Sequence, residues 1–157
     1  MLFSLATIHA MHKLLFLCTA NYYRSRFAEI LFNTLASQHQ LDWVAESRGL
    51  ATEVGADNIG PISEYTITGL QSRGISVGED LRFPIQLREQ DLKQADLIVA
   101  LDEQEHRPYM QRQFPDWENK IQYWHVHDLH VSTADDALPV AEQEIRAMVE
   151  RLSQDGS

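Results

Sequence analysis

The sequence predicts one α/β domain built on an open parallel sheet of about four strands, with helices on both faces. Three observations carry that expectation. Short apolar runs of strand length alternate with stretches of helical periodicity. The length of 157 residues suits one ordinary domain. No internal repeat, low-complexity tract or linker divides the chain.

The elements follow in order. Residues 1–10, MLFSLATIHA, are apolar but lack the basic start of a secretory signal, and Lys13 interrupts the apolar run beyond them. They read as an extension before a domain that begins at Met11 and spans 11–157. Lys13–Leu17 has the length of a buried strand. From Arg24, the apolar residues Phe27, Ile30, Leu31 and Leu35 are spaced for a helix running to about Gln38. Trp43–Glu46 reads as a second strand, followed by a glycine-bearing loop. A helix is expected over Pro61–Ser72, with proline at its front and Gly74 after its end. Asp96–Leu101 is the plainest buried strand, with Asp102 at its carboxyl end. Glu103–Gln113 should be helical, kinked or split at Pro108. Gln122–Val126 makes the last strand, and Val140–Leu152 an amphipathic closing helix.

A net charge of −10 opposes nucleic acid and anionic membranes as general partners, so an anionic ligand would need local positive potential. No stretch approaches the length of a membrane span. The single cysteine excludes an internal disulfide and fits a cytoplasmic protein.

In open parallel sheets, ligands gather beyond the carboxyl ends of the strands. Cys18, Asp102 and Asp128 all fall there. Cys18, Thr19, Ala20, Asn21, Tyr22, Tyr23, Arg24 and Ser25 place a thiol, five residues, an arginine and a serine between a strand and a helix. That spacing suits a phosphate-binding loop. Main-chain N–H groups curl around a tetrahedral oxyanion, the helix adds its positive end, and Arg24 grips two oxygens with its planar fork. The same field stabilises a thiolate at Cys18. Ser25 can donate to that sulfur, and Asn21 tolerates a left-handed backbone while its amide braces the loop.

This stretch resembles the active-site loop of the low-molecular-weight protein tyrosine phosphatases, whose pattern is Cys, two residues with glycine second, Asn, two residues, Arg-Ser. The resemblance extends to the C-terminus through MHKLLFLC, ESRG, RGI and ADLIVALDEQE. It implies a phosphomonoesterase, acting on phosphotyrosine in protein or on a small phosphomonoester, through a phosphocysteine at Cys18 held by Arg24. No cofactor is implied. The family's general acid is an aspartate after the last strand, and Asp128 matches it, with Asp135 and Asp136 as other holders of that role.

Several positions depart from the pattern. Ala20 replaces glycine and would be strained if its φ were positive. Tyr23 stands where the family often has a second cysteine, Arg26 replaces a proline, and Leu129 replaces the proline after the acid. The usual aromatic wall is missing, and Tyr22 offers a replacement ring.

Blander roles compete for some residues. Asp102 reads as a structural residue holding a loop or helix start, and Ser47 as a support for the loop. His125, His127 and His130 lack partners at metal-ligand spacing, so no metal is expected. His127 or His130 instead borders the pocket. Two other functions remain in competition: a phosphate-binding module without turnover, and an arsenate reductase coupled to an external small thiol.

Overall fold

The computed structural model describes residues 11–155; the expected extension over 1–10 lies outside them. Strand β1 (His12–Cys18) is central and buried from Leu14 onward. It pairs in parallel with β2 (Trp43–Gly49) on one side and β3 (Leu97–Ala100) on the other, and β4 (Gln122–Tyr123) joins β3, also in parallel. The order is β2-β1-β3-β4. Every strand therefore ends at the same edge.

Alternation along β1 explains the layers. Leu14 and Phe16 face one core, where helices α1 (Arg24–Gln38) and α5 (Ala134–Asp155) supply Phe27, Leu31, Phe32, Ile145 and Met148. Helix α2 (Glu64–Gln71) adds Leu70. Leu15 and Leu17 face the opposite core, closed by Leu92 of α3 (Glu89–Gln94) and Met110 of α4 (Glu103–Gln113). Phe16 is fully buried, its ring beside Phe32 and Trp124. Burying such a side chain stabilises the fold by roughly 1.5–3 kcal/mol.

The differences from expectation have local causes. Helix α2 starts at Glu64 rather than Pro61, because Ser63 caps it by accepting from the Tyr65 N–H at 3.1 Å. Helix α4 runs through Pro108 unsplit. Helix α5 begins at Ala134, ahead of Pro139; its first turn carries Asp135 and Asp136, and Thr133 accepts from Asp136 N–H. Helix α3 has one buried apolar residue, Leu92, and so shows no periodicity in sequence. The last strand is shorter than expected, but its backbone pairing continues through Trp124 N–H to Ala100 O and Val126 N–H to Leu101 O.

Candidate active site

Strand β1 stops at Cys18, and the chain turns through Thr19–Tyr23 into α1. That helix has no side-chain cap and no acidic residue in its first turn, so its positive end is left for another anion. The turn is possible because Asn21 takes φ 54°. Ala20, by contrast, lies outside the positive-φ region, so replacing glycine there brings no strain. Gly49 lets β2 approach the turn: a Cβ there would fall 2.9 Å from the Thr19 carbonyl oxygen. Leu50 N–H and Ala51 N–H then donate to the carbonyls of Cys18 and Thr19, both at 2.9 Å.

Asn21 is fully buried and uses its whole amide. Its Nδ2 donates to Ser25 Oγ at 2.8 Å and Ser47 Oγ at 2.9 Å. Its Oδ1 accepts from Arg82 at 3.0 Å and from Ile85 N–H at 3.1 Å. Ser47 thus supports the loop as expected, and it passes its own hydrogen to Glu29. Because Ser25 Oγ accepts from Asn21, its hydrogen is free to point at Cys18 Sγ, 2.9 Å away.

Arg24 is 2 % exposed and surrounded by carboxylates. Glu105, on the first turn of α4, accepts from Nη1 at 3.1 Å and Nη2 at 2.6 Å. Asp102 Oδ2 lies 3.9 Å from Nη1, and Asp128 Oδ2 lies 3.8 Å from Nη2. Nη1 also donates to the Val126 carbonyl. Burial works against the Arg24 charge, but the Glu105 bond and the negative charges of Cys18, Glu105 and Asp128 hold it above its ordinary value. Burial also opposes the Glu105 charge; donors from His106, Arg24 and Thr19 override it and hold the carboxyl well below the usual range.

His106 is fully buried. Its Nδ1 accepts from Asp102 N–H, so its Nε2 carries the proton and shares it between Thr19 Oγ1 at 3.1 Å and Glu105 Oε2 at 3.2 Å. Thr19 in turn donates to Glu105. Burial and the Arg24 charge push His106 below its ordinary value, so the ring stays neutral. Sequence reading missed Glu105, His106 and Arg82. Glu105 and His106 carry one legible signal: they follow Asp102 in the first turn of a helix that starts at the ligand edge of the sheet.

Other residues fall into place around this centre. Asp102 caps no helix N–H with its side chain; its Oδ2 accepts from His127 Nδ1 at 2.8 Å. Arg26 does not face the cradle. Its fork donates to the carbonyls of Pro61 and Arg82, stapling two loops to α1, and burial with the nearby Arg82 charge lowers it to about 10. His130 lines the cleft and His127 does not. No group of metal-ligating side chains converges among the described residues.

Cys18, Thr19, Ala20, Tyr22, Tyr23 and Arg24 line a cleft of about 710 Å³. One wall is Val54, Gly55, Asp57, Asn58 and Ile59 with Glu64 and Tyr65, the other Asp128, Leu129 and His130. Tyr22 does present a ring here, tied down by donation from its hydroxyl to Ile59 O at 2.6 Å, and Tyr65 adds a second ring that the sequence did not reveal. Asp128 is therefore at the cleft, whereas Asp135 and Asp136 sit on α5 and do not line it. The arrangement can seat a tetrahedral oxyanion over a sulfur, with a carboxyl group at the rim.

The family model for the low molecular weight phosphotyrosine protein phosphatases matches residues 13–155. Among curated proteins, none matches at a significant level. Solved structures do. A low molecular weight protein tyrosine phosphatase from T. tengcongensis is 27 % identical with a TM-score of 0.70, over 92 % of this chain and 99 % of its own. Vibrio vulnificus Wzb in complex with benzylphosphonate is 18 % identical with a TM-score of 0.74, over 90 % and 99 %. The YwlE arginine phosphatase of Bacillus subtilis, solved as a mutant with a phosphorylated active-site serine, is 22 % identical with a TM-score of 0.73, over 91 % and 97 %. The last two likenesses establish the fold.

Proposed function

The chain belongs to the low molecular weight phosphotyrosine protein phosphatase family, and from that premise we propose that it hydrolyses phosphomonoesters, with protein phosphotyrosine as its main substrate, through a phosphocysteine on Cys18. The single observation that carries the reading is the convergence of Cys18, Arg24 and Asp128 on one cleft, with the Asp128 carboxylate 3.8 Å from the arginine fork.

The residues divide the work as follows. The phosphoryl group sits in the loop formed by Thr19, Ala20, Asn21, Tyr22, Tyr23, Arg24 and Ser25, with main-chain N–H groups and Arg24 on its equatorial oxygens. The Cys18 thiolate attacks phosphorus; the S–P bond forms as the P–O bond to the leaving group breaks. Asp128 gives its proton to the leaving oxygen. Asp128, now ionised, takes a proton from water as that water attacks phosphorus and the S–P bond breaks. Inorganic phosphate leaves, and Ser25 donates to the restored thiolate. Tyr22 and Tyr65 supply aromatic contact for a phenolic leaving group. The lone Cys18 stays reduced in the cytoplasm, the compartment we assign.

The test is a turnover panel of phosphotyrosine and phosphoserine peptides, phosphoarginine, small phosphometabolites and para-nitrophenyl phosphate. Hydrolysis inhibited by vanadate is expected, strongest on phosphotyrosine. It should vanish in Cys18→Ser and fall by about 10²–10⁴-fold in Asp128→Asn, the range for losing a general acid. Asp135→Asn and Asp136→Asn should retain turnover. Activity surviving in Cys18→Ser would overturn the mechanism, and binding of the peptide without hydrolysis would make the protein a phosphate-binding module.

A further inference from the structure

Tyr23 closes the loop before α1 and is 5 % exposed. Its carbonyl accepts from Thr66 Oγ1 at 2.8 Å and from Phe27 N–H at 3.0 Å. Its ring packs edge-on against Tyr65, with centroids 6.3 Å apart. The hydroxyl is different. It is one of two buried side-chain polar atoms among the described residues with no hydrogen-bond partner, the other being Asp102 Oδ1. An unpaired buried donor is costly, and phenylalanine would fill the same space without that cost. The position nonetheless carries the hydroxyl.

Its surroundings indicate what the hydroxyl is for. Tyr23 lines the same cleft as Cys18 and Arg24. Burial raises its phenol to about 12, with the charges of Asp128, Tyr65 and Asp135 adding to the rise and that of Arg24 opposing it. The group is therefore a proton donor throughout the neutral range, and the charges of both Arg24 and Asp128 reach it.

We propose that the Tyr23 hydroxyl donates a hydrogen bond to an oxygen of the phosphoryl group seated over Cys18, making it a side-chain member of the oxyanion cradle. The inference rests on the phosphatase reading of this cleft. It adds one neutral donor to those of the loop backbone and Arg24, and a neutral donor binds a dianion without competing for the surrounding carboxylates.

Calorimetric titration of inorganic phosphate and orthovanadate into wild type and Tyr23→Phe, paired with thermal unfolding, tests it. Tyr23→Phe should bind both anions about tenfold more weakly, the scale of one hydrogen bond to a charged group, while unfolding at an equal or higher temperature. A purely structural hydroxyl would leave the affinities unmoved. Affinities within twofold of wild type overturn the proposal, whatever happens to the pH profile. Should Tyr23→Phe fail to fold, proton NMR of the wild type decides: phosphate should bring a slowly exchanging tyrosine hydroxyl proton into view, and its failure to appear is a refutation. Wild type that binds neither anion overturns the phosphatase reading as well; wild type that binds them as well as Tyr23→Phe does overturns the role of Tyr23 alone.

Discussion

Glu105 holds the end of the Arg24 guanidinium through two parallel hydrogen bonds, at 3.1 and 2.6 Å, from the first turn of a helix on the opposite face of the sheet. A planar fork held at its two Nη atoms can turn only its Nε side to another oxyanion. Glu105 thus fixes the orientation of Arg24 and balances its buried charge.

The consequence is measurable in the absence of turnover. Removing one member of a buried pair leaves an uncompensated charge, a loss on the order of 3 kcal/mol. Glu105→Gln should therefore unfold at a lower temperature than wild type in phosphate-free buffer. Saturating phosphate should raise its unfolding temperature by more than it raises that of wild type, because the bound oxyanion replaces the missing charge. Equal shifts in the two proteins would show that Glu105 and the ligand do not share the guanidinium.

What the sequence made legible was local. Cys18, Asn21, Arg24 and Ser25 lie within one loop between a strand and a helix, so spacing alone reports that they meet. Glu105 and Arg82 reach the same centre across 81 and 61 positions respectively, and each looks in sequence like a solvated charge. The expectation of local positive potential was accordingly incomplete: three carboxylates surround Arg24, and the attraction for an anion falls to the loop amides and the uncapped end of α1. Arg26 stands beside the motif, yet position alone does not report that its side chain turns to carbonyls behind the loop. The fold was read more fully than the site, because β1 and β3 announce themselves by runs of buried apolar residues.

Asn21 contributes a backbone conformation and four side-chain hydrogen bonds, and two substitutions separate them. Asn21→Gly keeps the left-handed turn and loses the bonds; Asn21→Ala loses both. The alanine variant should be the less stable of the two by about 1–2 kcal/mol, the cost of that conformation for a residue with Cβ. Urea denaturation reads the difference. Equal stabilities would mean that the turn relaxes out of the left-handed region.

His106 makes the stability of the loop depend on pH. Its value in the unfolded chain is the ordinary 6.5, and in the folded protein it is lower, because burial and Arg24 disfavour the charged ring. As pH falls through 6.5, the unfolded state therefore takes up the proton first. The stabilisation is complete above that pH and is lost on the way down towards the folded value, with a slope of up to about 1.4 kcal/mol per pH unit. His106→Gln should flatten the fall in unfolding temperature between pH 7.5 and 5.5. An unchanged slope in that variant would place the acid sensitivity elsewhere.

The cleft mouth sets a charge preference for whatever carries the phosphate. Residues 49–72 contain Glu53, Asp57 and Glu64 but no lysine or arginine. Residues 121–145 contain Asp128, Asp135, Asp136, Glu142 and Glu144, again with neither. Asp57, Glu64 and Asp128 line the cleft itself, and Arg24 is its single arginine or lysine. A phosphopeptide flanked by arginines should accordingly show a higher kcat/KM than the same peptide flanked by glutamates, by about tenfold at low salt, where steering by like and unlike charges is strongest. The ratio should shrink towards one as salt shortens the screening length to a few ångströms. Reversing the rim charge with Asp57→Lys and Glu64→Lys should invert the preference. A ratio that ignores both salt and the rim substitutions would mean that the peptide flanks never approach these loops.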